Sequence, residues 1–360
     1  MNFDFILDGK TKFYKNLNNK KYYVLTITDK IKTTIMINKF KEFNGVIGLD
    51  FEFKKVSKDF KDIALFQINL EDNTNNGYIF IFYPPALNNK EFKILIELLT
   101  NPNNIKIIHG GESLDISYLF NTLFNQDSDL IIKFIKNLYD TKFLCEYYHI
   151  ENNINSKCSI YNLLEEFKIL SDEQIKYLKN LEDEIGPIYN VEFNIDNLNA
   201  NLIEYALYDV LYLPSLLNKF INISKIYKNV IQEFTSIIYY HKKVDNSQYK
   251  QLYDKINNLN NSFITVNNNQ LKLIDIYYYY YYNKFSNNLL VMLSEITYFK
   301  QFIETIIKYC IYSYIIDKYT VHLSNNEIIN NNLDDINQLF LKYKNIIKLT
   351  KFIEKNMSFN

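Results

Sequence analysis

The chain has 360 residues, 40 of them basic and 41 acidic, for a net charge of −1. That balance excludes a strongly basic nucleic-acid binder at the whole-chain level, but not a local basic face. With 48% hydrophobic residues, the length suffices for one large core or two ordinary ones.

Every basic residue is Lys, with no Arg and no Trp, and Asn, Ile, Tyr and Phe are heavily used. An AT-rich coding sequence produces this bias, so a Lys-rich stretch is weak evidence of function. The three cysteines, Cys145, Cys158 and Cys310, lack metal-like spacing, and so sparse a set predicts free thiols in a reducing compartment. The start, MNFDFILDGK, has no basic segment followed by an apolar one, which argues against a signal peptide. No apolar run reaches about 18 residues, so no membrane partner is expected. The expectation is a soluble intracellular protein.

In chain order, residues 1–21 read as a polar extension, irregular or with a short strand. Tyr23–Thr28 and Thr34–Asn38 have strand character, and a short helix is expected near Lys39–Phe43. Val46–Phe53, Ile63–Leu70 and Tyr78–Tyr83 are rich in β-branched and aromatic residues, as strands are. Asn76-Gly77 is a hairpin signal between the last two. Asn88–Thr100 has helical spacing, Ile105–Ile108 is a short buried strand, and Glu112–Phe124 is helical. Helices are expected over Asp140–His149, Ser159–Phe167 and Leu198–Phe220. This alternation over 22–225 describes an α/β domain on a mixed sheet. From 226 to 360 strand patterns fade. Ile231–His241, Tyr277–Leu290, Ile296–Tyr319 and Ile336–Glu354 look helical, predicting a mostly α-helical second domain. The tyrosine run Tyr277–Tyr282 fits ordinary helix packing better than base stacking.

One strand holds an anomaly. Residues 45–53 read GVIGLDFEF, and Asp50 and Glu52 stand two apart inside an apolar run. Residues i and i+2 of a strand share a face, so two carboxylates aim at one place, framed by Leu49, Phe51 and Phe53. Like charges that close resist burial without compensation. Further acids follow in order. Asp115, in HGGESLDISYL, falls just inside a helix start after a strand and the Gly110-Gly111 turn. Asp140, in LYDTKFL, fits a cap of the next helix. Tyr205 and Asp209, in LIEYALYDVLYLPSLL, are i and i+4 on one helix face. Pro214 should loosen that helix about one turn past the acid.

Asp-x-Glu on a core strand, an Asp after strand–turn–helix, and Tyr-x-x-x-Asp on a late helix together resemble the DEDD superfamily of 3′–5′ exonucleases. The subgroup is the one with Tyr in its third motif, and the likeness is to ribonuclease D-like and Werner-exonuclease-like domains. The histidine subgroup would place His five residues before the last acid, where this chain has Glu204. The residues that carry the likeness are IGLDFEF, IALFQI, HGGESLDISYL, YDT and YALYDVLYLPSLL, spanning about 22–225. The resemblance implies a ribonuclease H-like fold and metal-dependent hydrolysis of nucleic acid, RNA or DNA, from its 3′ end.

It also implies a site of two Mg²⁺ or Mn²⁺ ions held by Asp50, Glu52, Asp115 and Asp209, with Tyr205 orienting the attacking water. By that analogy Asp50 bridges both ions, Glu52 and Asp209 complete the first, and Asp115 holds the second through water. The chain departs from the pattern by one extra residue between His109 and Asp115, which leaves Glu112 as an alternative acid. The Arg and aromatic residues that often precede the third motif are missing, and 226–360 carries no familiar C-terminal module. Silent relatives that only bind RNA or a protein partner typically lose one or more acids, and all four are present here. Residues 1–61 carry 13 Lys and 7 acids. Lys54, Lys55, Lys58 and Lys61, beside the first motif, are candidates to meet backbone phosphates, or else an ordinary solvated Lys-rich face.

Overall fold

The computed structural model describes residues 3–8, 17, 20–57, 61–72, 76–111, 114–152, 154–186, 191, 193–223, 235, 239, 263–266 and 269–272. The chain divides into two units, Met1–Cys145 with Ser156–Val244, and Glu146–Asn155 with Asp245–Asn360. The first unit holds a seven-stranded mixed sheet in the order β1 (Phe5–Leu7), β2 (Lys21–Thr26), β5 (Asn76–Phe82), β4 (Lys61–Glu71), β3 (Val46–Lys55), β6 (Ile105–Ile108), β7 (Leu138–Asp140). The β3–β4 and β4–β5 pairs are antiparallel, and the β2–β5, β3–β6 and β6–β7 pairs are parallel. This is the expected ribonuclease H-like α/β sheet. Its edge takes in part of the expected N-terminal extension, since β1 pairs with β2.

The two faces of the sheet differ in chemistry. On one, Phe51, Phe66 and Phe82 form a row across three strands, with ring centroids 4.1 Å and 5.2 Å apart. Phe40 of α1 (Lys30–Glu42) packs onto this row through Phe80 and Phe82. The opposite face carries Gly48, Asp50 and Glu52 of β3, paired with Asn69, Gln67 and Leu65 of β4. It is covered by α8 (Ala200–Leu211), whose Ala206, Leu207, Tyr208, Val210 and Leu211 are buried. A Cβ at Gly48 would meet the Val210 carbonyl at 3.0 Å, so glycine lets the helix lie against the strand. Asn69 then ties the helix end to the sheet, its Nδ2 donating to the Val210 carbonyl at 3.1 Å and the Leu211 carbonyl at 3.4 Å.

The expected helix over Leu198–Phe220 is two helices, α8 and α9 (Leu213–Ile223), with Tyr212 between them. The break precedes Pro214, which fits only the first turn of a new helix. Other expectations need correction. Thr34–Asn38 is not a strand but part of α1. Asp29 caps it by accepting from Ile31 N and Lys32 N at 2.8 Å and 2.9 Å. The Thr33 and Thr34 hydroxyls donate back to the carbonyls of Asp29 and Lys30, which accommodates these β-branched residues in a helix. The β4–β5 hairpin exists, but Asn76 and Gly77 lie on β5, with Gly77 paired to Glu71. Gly77 is needed there because a Cβ would strike the Tyr22 ring.

The helix expected from Glu112 starts at α3 (Asp115–Tyr118) and widens into a π turn through Leu123. After α2 (Asn89–Thr100), α5 (Thr141–Asn152) and α6 (Ile160–Glu166), all foreseen, α4 (Ser128–Ile135) and α7 (Asp172–Ile185) are additions, as is β7. Two of the three cysteines are not free thiols. Cys145 and Cys158 form a disulfide with Cα atoms 5.9 Å apart, a pairing their spacing does not reveal. In the second unit β8 (Phe263–Val266) and β9 (Asn269–Lys272) pair antiparallel. That hairpin is not among the elements expected of a mostly helical region, and at four residues each its strands are too short for a periodicity reading to find. The expected helices Tyr277–Leu290, Ile296–Tyr319 and Ile336–Glu354, most of Ile231–His241, and the run Tyr277–Tyr282 lie outside the described residues.

Replacing Asn69 by Leu should cost roughly 1–3 kcal/mol in urea unfolding, because two buried helix-end carbonyls lose their donor.

Candidate active site

The strand pair Asp50 and Glu52 meets Asp209 of α8. One carboxylate oxygen from each lies within 4.8 Å of the others. Glu52 is buried, and Asp50 and Asp209 are half-buried. All three carboxylates are raised above their ordinary range. Burial pushes Asp50 up to about 7. Glu52 is pushed well above the usual carboxylate range by burial first, then by the charges of Asp50, Asp209 and Asp115. Asp209 rises through burial, Asp50 and Glu182. A register shift between Glu52 and Phe53 leaves Ala64 of β4 as an extra residue opposite the pair. Bulges of this kind re-aim side chains beside functional sites.

Asp115 stands at the first position of α3 and lies outside the group of three. It still belongs to the same field, since after burial the Asp50 charge is what raises it most. The strand's other face holds α3 in place. Tyr118 packs on Phe51 at 5.9 Å and on Phe53 at 6.0 Å. The turn before α3 is tight. Gly110 has φ +72, and a Cβ on Gly111 would strike Ile108 and come within 3.3 Å of Asp115 Oδ2. Glu112, the alternative acid, lies outside the described residues.

Asp140 is a cap, as its position suggested. It is fully buried and accepts from Gly110 N at 3.0 Å, from Lys142 N at 2.8 Å and from the Tyr239 hydroxyl. Its carboxylate thus joins the glycine turn to the start of α5. His109 stands beside that turn, with Nδ1 2.9 Å from Thr141 Oγ1 and Nε2 3.1 Å from the Cys158 carbonyl. Burial, helped by the Lys142 charge, lowers it to about 4, so it is neutral at ordinary pH.

Tyr205 projects from α8 one turn before Asp209 and packs against the apolar cluster of Ala64, Leu65, Ile81, Phe193 and Ala206. The Asp209 charge, then burial, then Glu52 raise its hydroxyl far above the usual tyrosine range. It keeps its proton and is a hydrogen-bond donor rather than a base. Two neighbours went unforeseen in the sequence. Tyr161 of α6 is raised by burial and by Asp209, Glu182 and Glu52, and Glu182 of α7 adds its charge to Asp209. Neither stands in a recognisable motif, so only the packing of α6 and α7 beside α8 brings them in. Gln67 and Asn69 did carry a signal: like Asp50 and Glu52, they are two polar residues at i and i+2 inside an apolar strand.

Of the candidate lysines, Lys54 is half-buried with its ammonium 5.6 Å from the Tyr83 ring centroid, and Lys55 and Lys61 are exposed. Lys58 lies outside the described residues. No helix among the described residues is long and apolar enough to cross a membrane.

The donor set is all oxygen, crowded and anionic, which fits a hard divalent cation such as Mg²⁺ or Mn²⁺ and not a soft one. Comparison with known proteins agrees with that chemistry. The family model described as 3′–5′ exonuclease matches residues 24–224, more than half of the chain. An uncharacterized protein of Acanthamoeba polyphaga mimivirus is 30% identical over 347 residues, which are 86% of this chain and 66% of that protein. This chain therefore spans just under two thirds of its relative. Among solved structures, Trypanosoma brucei RNase D in complex with RNA U12 is similar over 64% of this chain and 73% of its own, with 17% identity and a TM-score of 0.47. The Aedes aegypti Nibbler EXO domain is similar over 60% of this chain and 95% of its own, with 14% identity and a TM-score of 0.40. The matched segment runs from within β2 to the end of α9 and contains every acid of the cluster, so the chain belongs to the 3′–5′ exonuclease family.

Proposed function

We propose that the chain is an active, metal-dependent 3′–5′ exonuclease that hydrolyses nucleic-acid phosphodiester bonds by a two-cation mechanism. The observation that supports this most is the convergence of Asp50, Glu52 and Asp209 within 4.8 Å. Three carboxylates brought together at such electrostatic cost serve no structural end. A catalytically silent fold would be more stable without them.

Asp50, Glu52 and Asp209 would hold one Mg²⁺ or Mn²⁺, and Asp50 with Asp115 the second. Bound there, the cations supply a water of lowered pKa and absorb charge on the scissile phosphate. Tyr205, kept protonated by Asp209, donates to and orients the attacking water. Glu52 approaches the terminal 3′-hydroxyl, and Asp140 with the Gly110-Gly111 turn keeps Asp115 in place. Lys54 and Lys55 extend β3 beyond the acids and would meet the phosphates of the strand entering the site. We further propose that 22–225 is the exonuclease domain, that 1–21 is an extension whose β1 adds to its sheet, and that a second domain lies within 226–360, beyond the end of the first unit at Val244.

Purified chain with Mg²⁺ or Mn²⁺ should shorten 5′-labelled RNA or DNA into a ladder from the 3′ end, with the two substrates run as separate arms. Asp50→Ala and Asp209→Ala should abolish the ladder. Tyr205→Phe should slow cleavage roughly 10²-fold and leave cation binding intact. Retained nucleic-acid binding without cleavage in either metal would mean a silent domain.

The raised carboxylates also predict a pH dependence in EDTA. A folded-state pKa of about 7 at Asp50, above the unfolded value of 3.8, means that the folded protein binds the proton more tightly. Cation-free stability should therefore fall as pH rises from about 4 to 7 through this group. Asp50→Asn should raise the cation-free thermal midpoint at pH 7.5 by at least ~2 °C, the shift of about 1 kcal/mol in a domain of this size, and should flatten the profile.

A further inference from the structure

Gln67 is a polar residue that neither the fold nor the acid cluster accounts for. It stands in β4 directly across from Asp50 and, on its other side, across from Ile81. Cross-strand partners share a face, with Cβ atoms about 4.5–5.5 Å apart, well within reach of a glutamine amide. Its neighbours on that face have clear tasks. Leu65 packs in the apolar cluster under α8, and Asn69 holds the carbonyls at the end of that helix. Gln67 is 0% exposed, and neither its Nε2 nor its Oε1 takes a hydrogen bond among the described residues. A buried amide left unpaired carries a desolvation cost that leucine at the same place would not incur. The cation-free fold therefore gains nothing from this amide.

What lies beside it is the acid that the other three share. The Asp50 charge acts on Glu52, Asp115 and Asp209 alike. A carboxylate that serves two cations must present both oxygens in one orientation, and from β3 itself only the Phe51 backbone N–H bears on it. We propose that Gln67 is a positioning residue of the cation centre, its amide N–H donating to the Asp50 carboxylate in the loaded site and fixing that orientation. Outer partners of this kind are worth roughly tenfold to a hundredfold in metal affinity. The inference rests on the reading of the acids as a cation centre.

The test titrates Mn²⁺ calorimetrically into the full chain and into Gln67→Leu and Gln67→Met, which keep the volume and lose the amide. In parallel, urea midpoints are measured in EDTA. Both variants should bind Mn²⁺ roughly ten to a hundred times more weakly, while their EDTA midpoints equal or exceed that of the wild type. Mn²⁺ affinity equal to that of the wild type overturns the role of Gln67 and leaves the cation centre standing. EDTA midpoints well below the wild type, or failure of both variants to fold, also overturn it, since the amide would then serve the fold. A wild-type chain that binds no Mn²⁺ overturns the cation centre and this inference with it.

Discussion

Mutual repulsion among Asp50, Glu52 and Asp209 is the constraint around which this domain is built. Oxygens of three carboxylates within 4.8 Å and partly out of water push one another apart, and each stays put only because its backbone is held from elsewhere. For Asp50 and Glu52 the hold is the sheet. β3 is central, paired on both sides, and the stacked Phe51 and Phe66 pin it from the far face. For Asp209 the hold is α8, drawn in where Gly48 has no Cβ and tied by Asn69. An apolar sheet with one polar face thus acts as a clamp on like charges. A divalent cation seated among them would relieve the repulsion that the clamp sustains.

The same clamp sets the state of Tyr205. On an exposed helix its hydroxyl would titrate in the ordinary range. One turn from Asp209 and packed over Ile81 and Phe193, it cannot ionise without adding a further negative charge to the cluster. That keeps it a donor. Asp115 is served differently, through the glycine turn and the buried Asp140, which bonds to Gly110 N and to the first turn of α5. Positioning of Asp115 therefore depends on a loop held by hydrogen bonds, and positioning of Asp50, Glu52 and Asp209 on packing.

The sequence disclosed most where chemistry opposed pattern. Two acids in an apolar strand and a Tyr-x-x-x-Asp on an amphipathic helix are locally improbable, and local periodicity alone tells which face they share. Pro214 marked the division between α8 and α9 for the same reason, since its effect is steric and local. What stayed hidden depended on partners distant in sequence. Thr34–Asn38 reads as a strand by side-chain type, and only the Asp29 cap and the threonine back-bonds make it a helix. β7 is three residues long and owes its strand state to β6. Tyr161 and Glu182 reach the acids through tertiary packing of α6 and α7, which no spacing rule encodes. The Cys145–Cys158 pairing is equally silent in one sequence. Gln67 lies between these cases, visible as a polar residue in an apolar strand and intelligible only once the register sets it against Asp50.

The central claim is that the four acids form one two-cation centre organised on Asp50. It is tested most directly by an anomalous difference map from a crystal of the full chain soaked in Mn²⁺. The account predicts two peaks about 3.5–4 Å apart, the usual spacing of paired catalytic ions. Both should lie against Asp50, one also against Glu52 and Asp209 and the other toward Asp115. A single peak away from Asp50, or none at saturating Mn²⁺, would contradict it.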